Sequence, residues 1–133
     1  MVEHLVAPNL VEKFNALGFV FTKYGLDIAI SDKTRKLATE IDVFLENGDC
    51  AIAVEVKAQP KIDDIKEHVE RMETLRRYAD AHQDARKFYG AVAGAVVHDN
   101  VKEYALKTGF YVISQSGDTM NIDVPKDFGA RVW

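Results

Sequence analysis

Polar and apolar positions alternate most clearly on either side of Asn47-Gly48, in the stretch EIDVFLENGDCAIAVEVK. Two alternating runs around Asn-Gly predict a hairpin, because both turn residues tolerate positive φ. Its strands run over Thr39–Leu45 and Cys50–Ala58. Upstream, Leu10, Phe14 and Leu17 recur at helical spacing between Pro8 and Gly18, which predicts a helix over about Pro8–Leu17. FVFTKYG and LDIAISD hold at least one strand, and DKTRK is a polar turn. Beyond Pro60, Ile62, Ile65, Val69, Met72, Leu75 and Ala79 mark a long amphipathic helix reaching about Ala85. FYGAVAGAVV is the small-apolar run of a central parallel strand. A short helix from Asp99 or Asn100 to Lys107 follows, then the strand FYVISQ and an edge strand at MNIDV. The order α-β-β-β-α-β-α-β predicts an α/β fold. An antiparallel meander leads into right-handed parallel crossovers, with helices on both faces of a mixed sheet.

Hairpin parity then places the charged residues. With Asn47-Gly48 as a two-residue loop, Leu45 faces Cys50, Val43 faces Ile52 and Ile41 faces Val54, giving one apolar face. The other face pairs Phe44 with Ala51, Asp42 with Ala53 and Glu40 with Glu55, and sets Lys57 opposite Ala38. Asp42 and Glu55 become diagonal neighbours, about 7–8 Å apart at Cα. Directly opposed like charges destabilise a sheet. A divalent cation turns that repulsion into coordination, and carboxylate oxygens with a backbone carbonyl and waters suit Mg²⁺. A solvent-facing strand with scattered acids is the alternative. Against it, the acids gather at one end, and Ala51 and Ala53 leave room for a packed helix.

An Asp on one strand followed by Glu-x-Lys on the next resembles the PD-(D/E)XK nuclease superfamily. The residues are Asp42 in EIDVFL and Glu55 and Lys57 in VEVK, and the resemblance spans roughly Leu10 to Ser116. YGAVAGAVV…YALKTGFYVISQSGD also looks like the second half of uncharacterised prokaryotic members. Ile41 stands where many members carry Pro, at a variable position. The resemblance implies a restriction-endonuclease-like αβββαβαβ core. It implies Mg²⁺ or Mn²⁺ held by Asp42, Glu55 and the Val56 carbonyl, polarising a phosphate and acidifying a bound water. Lys57 would orient that water or stabilise phosphate charge. Glu12 matches the helix-borne acid that supports the metal in many members, and reads equally as a solvated helix residue. Glu40 is a candidate outer ligand. Gln59 is a candidate phosphate contact or a polar turn residue. The implied partner is nucleic acid, DNA ahead of RNA. In some relatives the domain follows a coiled coil, so the chain is compatible with the C-terminal part of a longer protein.

Composition limits these readings. The 133 residues suffice for one domain, 1–133, with the tail about 126–133 expected to be loosely held. Hydrophobic residues are 47% and charged residues 29% of the chain, ordinary for a soluble protein, and no apolar run approaches a membrane span. No signal peptide is evident, and the single Cys50 suits a reducing cytoplasm. Net charge is −4, which disfavours broad electrostatic binding of nucleic acid but not a local acidic site. Lys33, Arg35 and Lys36 form a basic turn, and Arg71, Arg76 and Arg77 dot the long helix. Either group suits phosphates or plain solvation, and Glu67–Arg71 and Glu73–Arg77 have pairing distance on a helix. Val69 and Met72 are core positions or a homodimer face. GAVAG lacks the following Lys-Ser/Thr of a phosphate loop, so Gly90 and Gly94 read as points of close helix packing. The histidines show no metal spacing. Two functions stand beside each other: a metal-dependent nuclease, on DNA or RNA, and a catalytically inactive nuclease-fold module for binding or assembly.

Overall fold

The computed structural model describes residues 3–133. Its elements are α1 (Glu3–Ala16), β1 (Lys23–Asp32), β2 (Leu37–Glu46), β3 (Cys50–Lys57), α2 (Ile62–Ala81), β4 (Lys87–Gly94), α3 (Asp99–Thr108), β5 (Tyr111–Ser116) and β6 (Thr119–Ile122). The six strands form one mixed sheet in chain order. β1, β2 and β3 pair antiparallel, β3, β4 and β5 pair parallel, and β6 turns back on β5. Among the described residues no helix is long and apolar enough to cross a membrane.

α1 starts at Glu3, five residues before the expected Pro8, which lies inside the helix. Pro8 is the sixth residue of α1, past the first turn, so the helix forgoes one backbone hydrogen bond there. α2 stops at Ala81, short of Ala85, where Gln83 takes a left-handed φ of 55°.

A core lies on each side of the sheet. On one, Leu10 and Phe14 of α1 pack on Val43, Leu45, Ile52, Val54, Ala91 and Ile113. On the other, Ile65, Met72, Leu75 and Ala79 of α2 and Val101 and Ala105 of α3 cover Ala51, Ala53, Phe88 and Val92. Gly90 lets Phe110 and Met72 sit against the strand, because a Cβ there would collide with the Phe110 ring. Gly94 is packed by Pro60 and Val97, so its close neighbours come from loops, not from a helix.

The β2–β3 turn differs from expectation. Glu46 pairs with Ala51 and Val43 with Val54, so Gly48-Asp49 form the tip. The Asn47 side-chain oxygen accepts the N–H groups of Asp49 at 2.8 Å and Cys50 at 2.9 Å. Asn is therefore the first residue of a side-chain-stabilised turn, not its left-handed centre. Pairings slip by two residues, which preserves which face each side chain takes.

A second departure moves Ile41. Asp27 has φ 48°, and the β1–β2 ladder runs Leu26↔Val43, then Ile28↔Ile41, skipping Asp27 and Asp42. Asp tolerates the left-handed region better than most residues. Both strands rotate at this point. Leu26 and Val43 join the α1-side core, whereas Ile28, Ile30 and Ile41 join the α2-side core. The outer half of the β1–β2 hairpin thus folds across α2, and Asp32 lies 3.8 Å from His82 at that helix's C-terminal end. Ile41 does not share a face with Val43 and Leu45, as simple alternation predicts.

The tail is not loose. Phe128 packs edge-on against Tyr111, the Arg131 N–H bonds to Gly109 O at 3.0 Å, and the Trp133 N–H bonds to Phe88 O at 2.8 Å. The Trp133 ring stacks on the fully buried Phe110, and the Arg131 guanidinium lies over the Trp133 ring.

Candidate acidic site

β2 and β3 part company just beyond the Val43–Val54 pair. Past it, the Val56 N–H is taken by the Asp42 side chain, at 2.8 Å. The distortion at Asp27 and Asp42 frees the Asp42 carboxylate to reach across to β3. Next to it stands Glu55, which strand alternation puts on the α2 side with Ala51 and Ala53. Glu55 is only 6% exposed and lies within hydrogen-bonding reach of Asp42.

α2 supplies the rest of the setting. Arg71 Nη1 makes an ion pair with Glu55 Oε2 and donates to His68 Nδ1 at 2.8 Å. His68 is fully buried, and its Nε2 donates to the Ala53 carbonyl at 3.0 Å. These two bonds fix the imidazole as the neutral Nε2–H tautomer. Among the described residues Glu55 and His68 are the two buried polar side chains, and they meet through one guanidinium. Arg71 Nε is itself buried with no hydrogen-bond partner, which costs about 1–3 kcal/mol.

The electrostatics follow from burial. Glu55 is pushed up to about 7, first by desolvation and then by the neighbouring Asp42 carboxyl, with Arg71 and Lys57 pulling the other way. His68 is held down at about 3, first by desolvation and then by the Arg71 charge. Near neutral pH Glu55 therefore stands close to the midpoint of its own titration.

Asp42 and Glu55 therefore converge. Lys57 follows at the end of β3, exposed, and close enough for its charge to be felt at Glu55. The other expected members lie apart. Glu12 is exposed on α1, which covers the opposite sheet face. Glu40 is exposed opposite Ala29, beyond the kink. Among the described residues no group of three or more His, Cys, Asp or Glu side chains is arranged to hold a metal ion. Gln59 instead meets His98, with their Nε2 atoms 2.7 Å apart, where the β3 and β4 loops adjoin. The basic turn Lys33, Arg35, Lys36 is carried away with the folded-over hairpin arm. It neighbours His82, 11 residues and so about 16 Å along α2 from Arg71. Arg35 is committed to Asp32 at 3.0 Å. Arg76 binds the Arg86 carbonyl and Asp80 and lies over Phe88, so it braces the fold.

His68 and the position of Arg71 were missed in the sequence. Arg71 matched a surface pairing with Glu67, yet it turns inward to Glu55. The available signal was polar His68 on the apolar stripe Ile65–Met72–Leu75, one turn before an arginine.

No protein-family profile matches the chain, and no curated protein matches it. One solved structure, titled "Crystal Structure of Protein of Unknown Function AF1548", aligns at 16% identity with a TM-score of 0.48. The alignment covers 90% of this chain and 58% of that one, so this chain spans under two thirds of its length.

Proposed function

We propose that the chain is a metal-dependent phosphodiesterase domain of the PD-(D/E)XK type, with a restriction-endonuclease-like core, acting on nucleic acid and on DNA ahead of RNA. The observation that carries this reading is the convergence of Asp42 and Glu55, with Lys57 two residues on, where β2 and β3 separate. Two adjacent carboxylates are the donor type that a hard divalent ion takes. Asp42, Glu55 and the Val56 carbonyl would hold Mg²⁺ or Mn²⁺, with water and phosphate oxygens as the remaining ligands. When bound, the ion supplies Lewis-acid polarisation of the phosphate and a more acidic water. Lys57, exposed at the strand end, orients the attacking water or offsets charge developing on the phosphate. Burial of Glu55 keeps bulk water from competing for its carboxylate.

A second reading is a nuclease fold retained for binding or assembly. The Arg71–Glu55 ion pair favours it, because an internal cation can neutralise the acids permanently. Incubation of plasmid and oligonucleotides with Mg²⁺ or Mn²⁺ separates the two. The nuclease reading predicts cleavage by the wild type and its loss in Lys57→Ala. Identical behaviour of the two proteins removes catalysis from the account.

A further inference from the structure

We propose that Arg71 is an exchangeable counter-cation for the acidic pair: its guanidinium occupies Glu55 until a divalent ion enters, then withdraws onto His68. This rests on the metal-binding reading above. The contact is built for release. A permanent arginine–carboxylate clamp is usually bidentate, with two parallel N–H···O bonds. Here one nitrogen, Nη1, serves both Glu55 and His68. The Nε–H is buried and bonded to nothing, so the guanidinium has not settled into a fully paired geometry.

The post that keeps Arg71 is rigid. His68 is fully buried on α2 and anchored through Nε2 to the Ala53 carbonyl of β3. Its Nδ1 has no proton and remains an acceptor for Arg71 when Glu55 is given up. Ala53 lies two residues before Glu55 on the same strand face, so anchor and ligand move as one piece. Arg71 is thus a positioning residue acting through Glu55, and it loses one of two partners on exchange.

The test is calorimetric titration of Mn²⁺ into wild type and Arg71→Gln, joined to a ¹⁵N NMR titration of the wild type with Mg²⁺. Removing a unit charge beside a divalent ion tightens binding on the order of tenfold in a water-like dielectric. Arg71→Gln should show that gain, and the wild-type Arg71 Nε–H signal should shift with the midpoint of metal binding while His68 stays neutral. Tightening from no measurable wild-type binding to measurable binding also supports exchange. Unchanged or weaker binding in Arg71→Gln, or an unmoved Nε–H signal in a wild type that binds metal, overturns the exchange alone. Absence of Mn²⁺ binding in both proteins overturns the metal reading and the exchange with it.

Discussion

Asp42 accepts the Val56 backbone N–H at 2.8 Å, across the gap where the β2–β3 ladder has ended. One carboxylate oxygen thus replaces a strand carbonyl, and the same side chain faces Glu55. Asp42 is both a structural staple and half of the acidic pair, and the two roles separate by mutation. Asp42→Asn keeps an oxygen for Val56 and should leave stability nearly unchanged. Asp42→Ala leaves that N–H unpaired and should cost about 1–3 kcal/mol in urea unfolding. Equal stability losses in the two variants would show that the Val56 bond is not what holds the strands.

Stability should depend on pH through two buried groups with opposite signs. Glu55 is raised from 4.5 to about 7, so the fold retains a proton that the unfolded chain releases. Its contribution is complete below pH 4.5 and is lost as pH rises through about 7. His68 is lowered from 6.5 to about 3, so its contribution is complete above pH 6.5 and is lost as pH falls toward 3. Thermal unfolding should show the wild type losing ground to Glu55→Gln as pH rises from about 5 to about 8. A difference between the two proteins that is flat over that range would contradict a Glu55 whose titration is raised by burial.

The same sign predicts the metal's pH dependence. An ion at Glu55 must displace its proton, so Mg²⁺ affinity should rise as pH increases through about 7 and level off above it. Calorimetry in buffers of different ionisation enthalpy would register the released proton. Uptake of no proton and release of none across that range would remove Glu55 from the ligand set.

Trp133, the single tryptophan of the chain, stacks its ring on Phe110, while its backbone N–H bonds to Phe88 O. The docked tail shields a fully buried phenylalanine. Trp133→Ala should therefore cost about 2 kcal/mol, chiefly lost aromatic burial. In the wild type, indole fluorescence and far-UV circular dichroism should share one unfolding midpoint. An earlier fluorescence transition would mean that the tail releases by itself.

The order of elements was legible because it depends on local patterns: helical apolar spacing in α2, alternation in β2 and β3, and the small-apolar run of β4. The convergence of Asp42 and Glu55 was legible for a weaker reason. The turn was placed one residue early, but a two-residue slip keeps side chains on the same faces. Glu40 and Ile41 were misplaced by a single event, the paired distortion at Asp27 and Asp42. No periodicity announces such a kink, since it arises from the hairpin arm bending to bury Ile28, Ile30 and Ile41 on α2. The tail was read as loose because its sequence is short and polar around its aromatics. Its order comes from partners distant in the chain, Phe88, Gly109 and Phe110. His68 and Arg71 were obscure for the same reason: their roles depend on β3 lying beneath α2.

The central claim is that Asp42 and Glu55 share a divalent ion. A crystal grown with Mn²⁺ and measured at the manganese absorption edge addresses it directly. The account predicts an anomalous peak bridging the two carboxylates, with Arg71 drawn off Glu55 toward His68. Density in which both acids stay bound to Val56 and Arg71, with no manganese between them at saturating concentration, would contradict it.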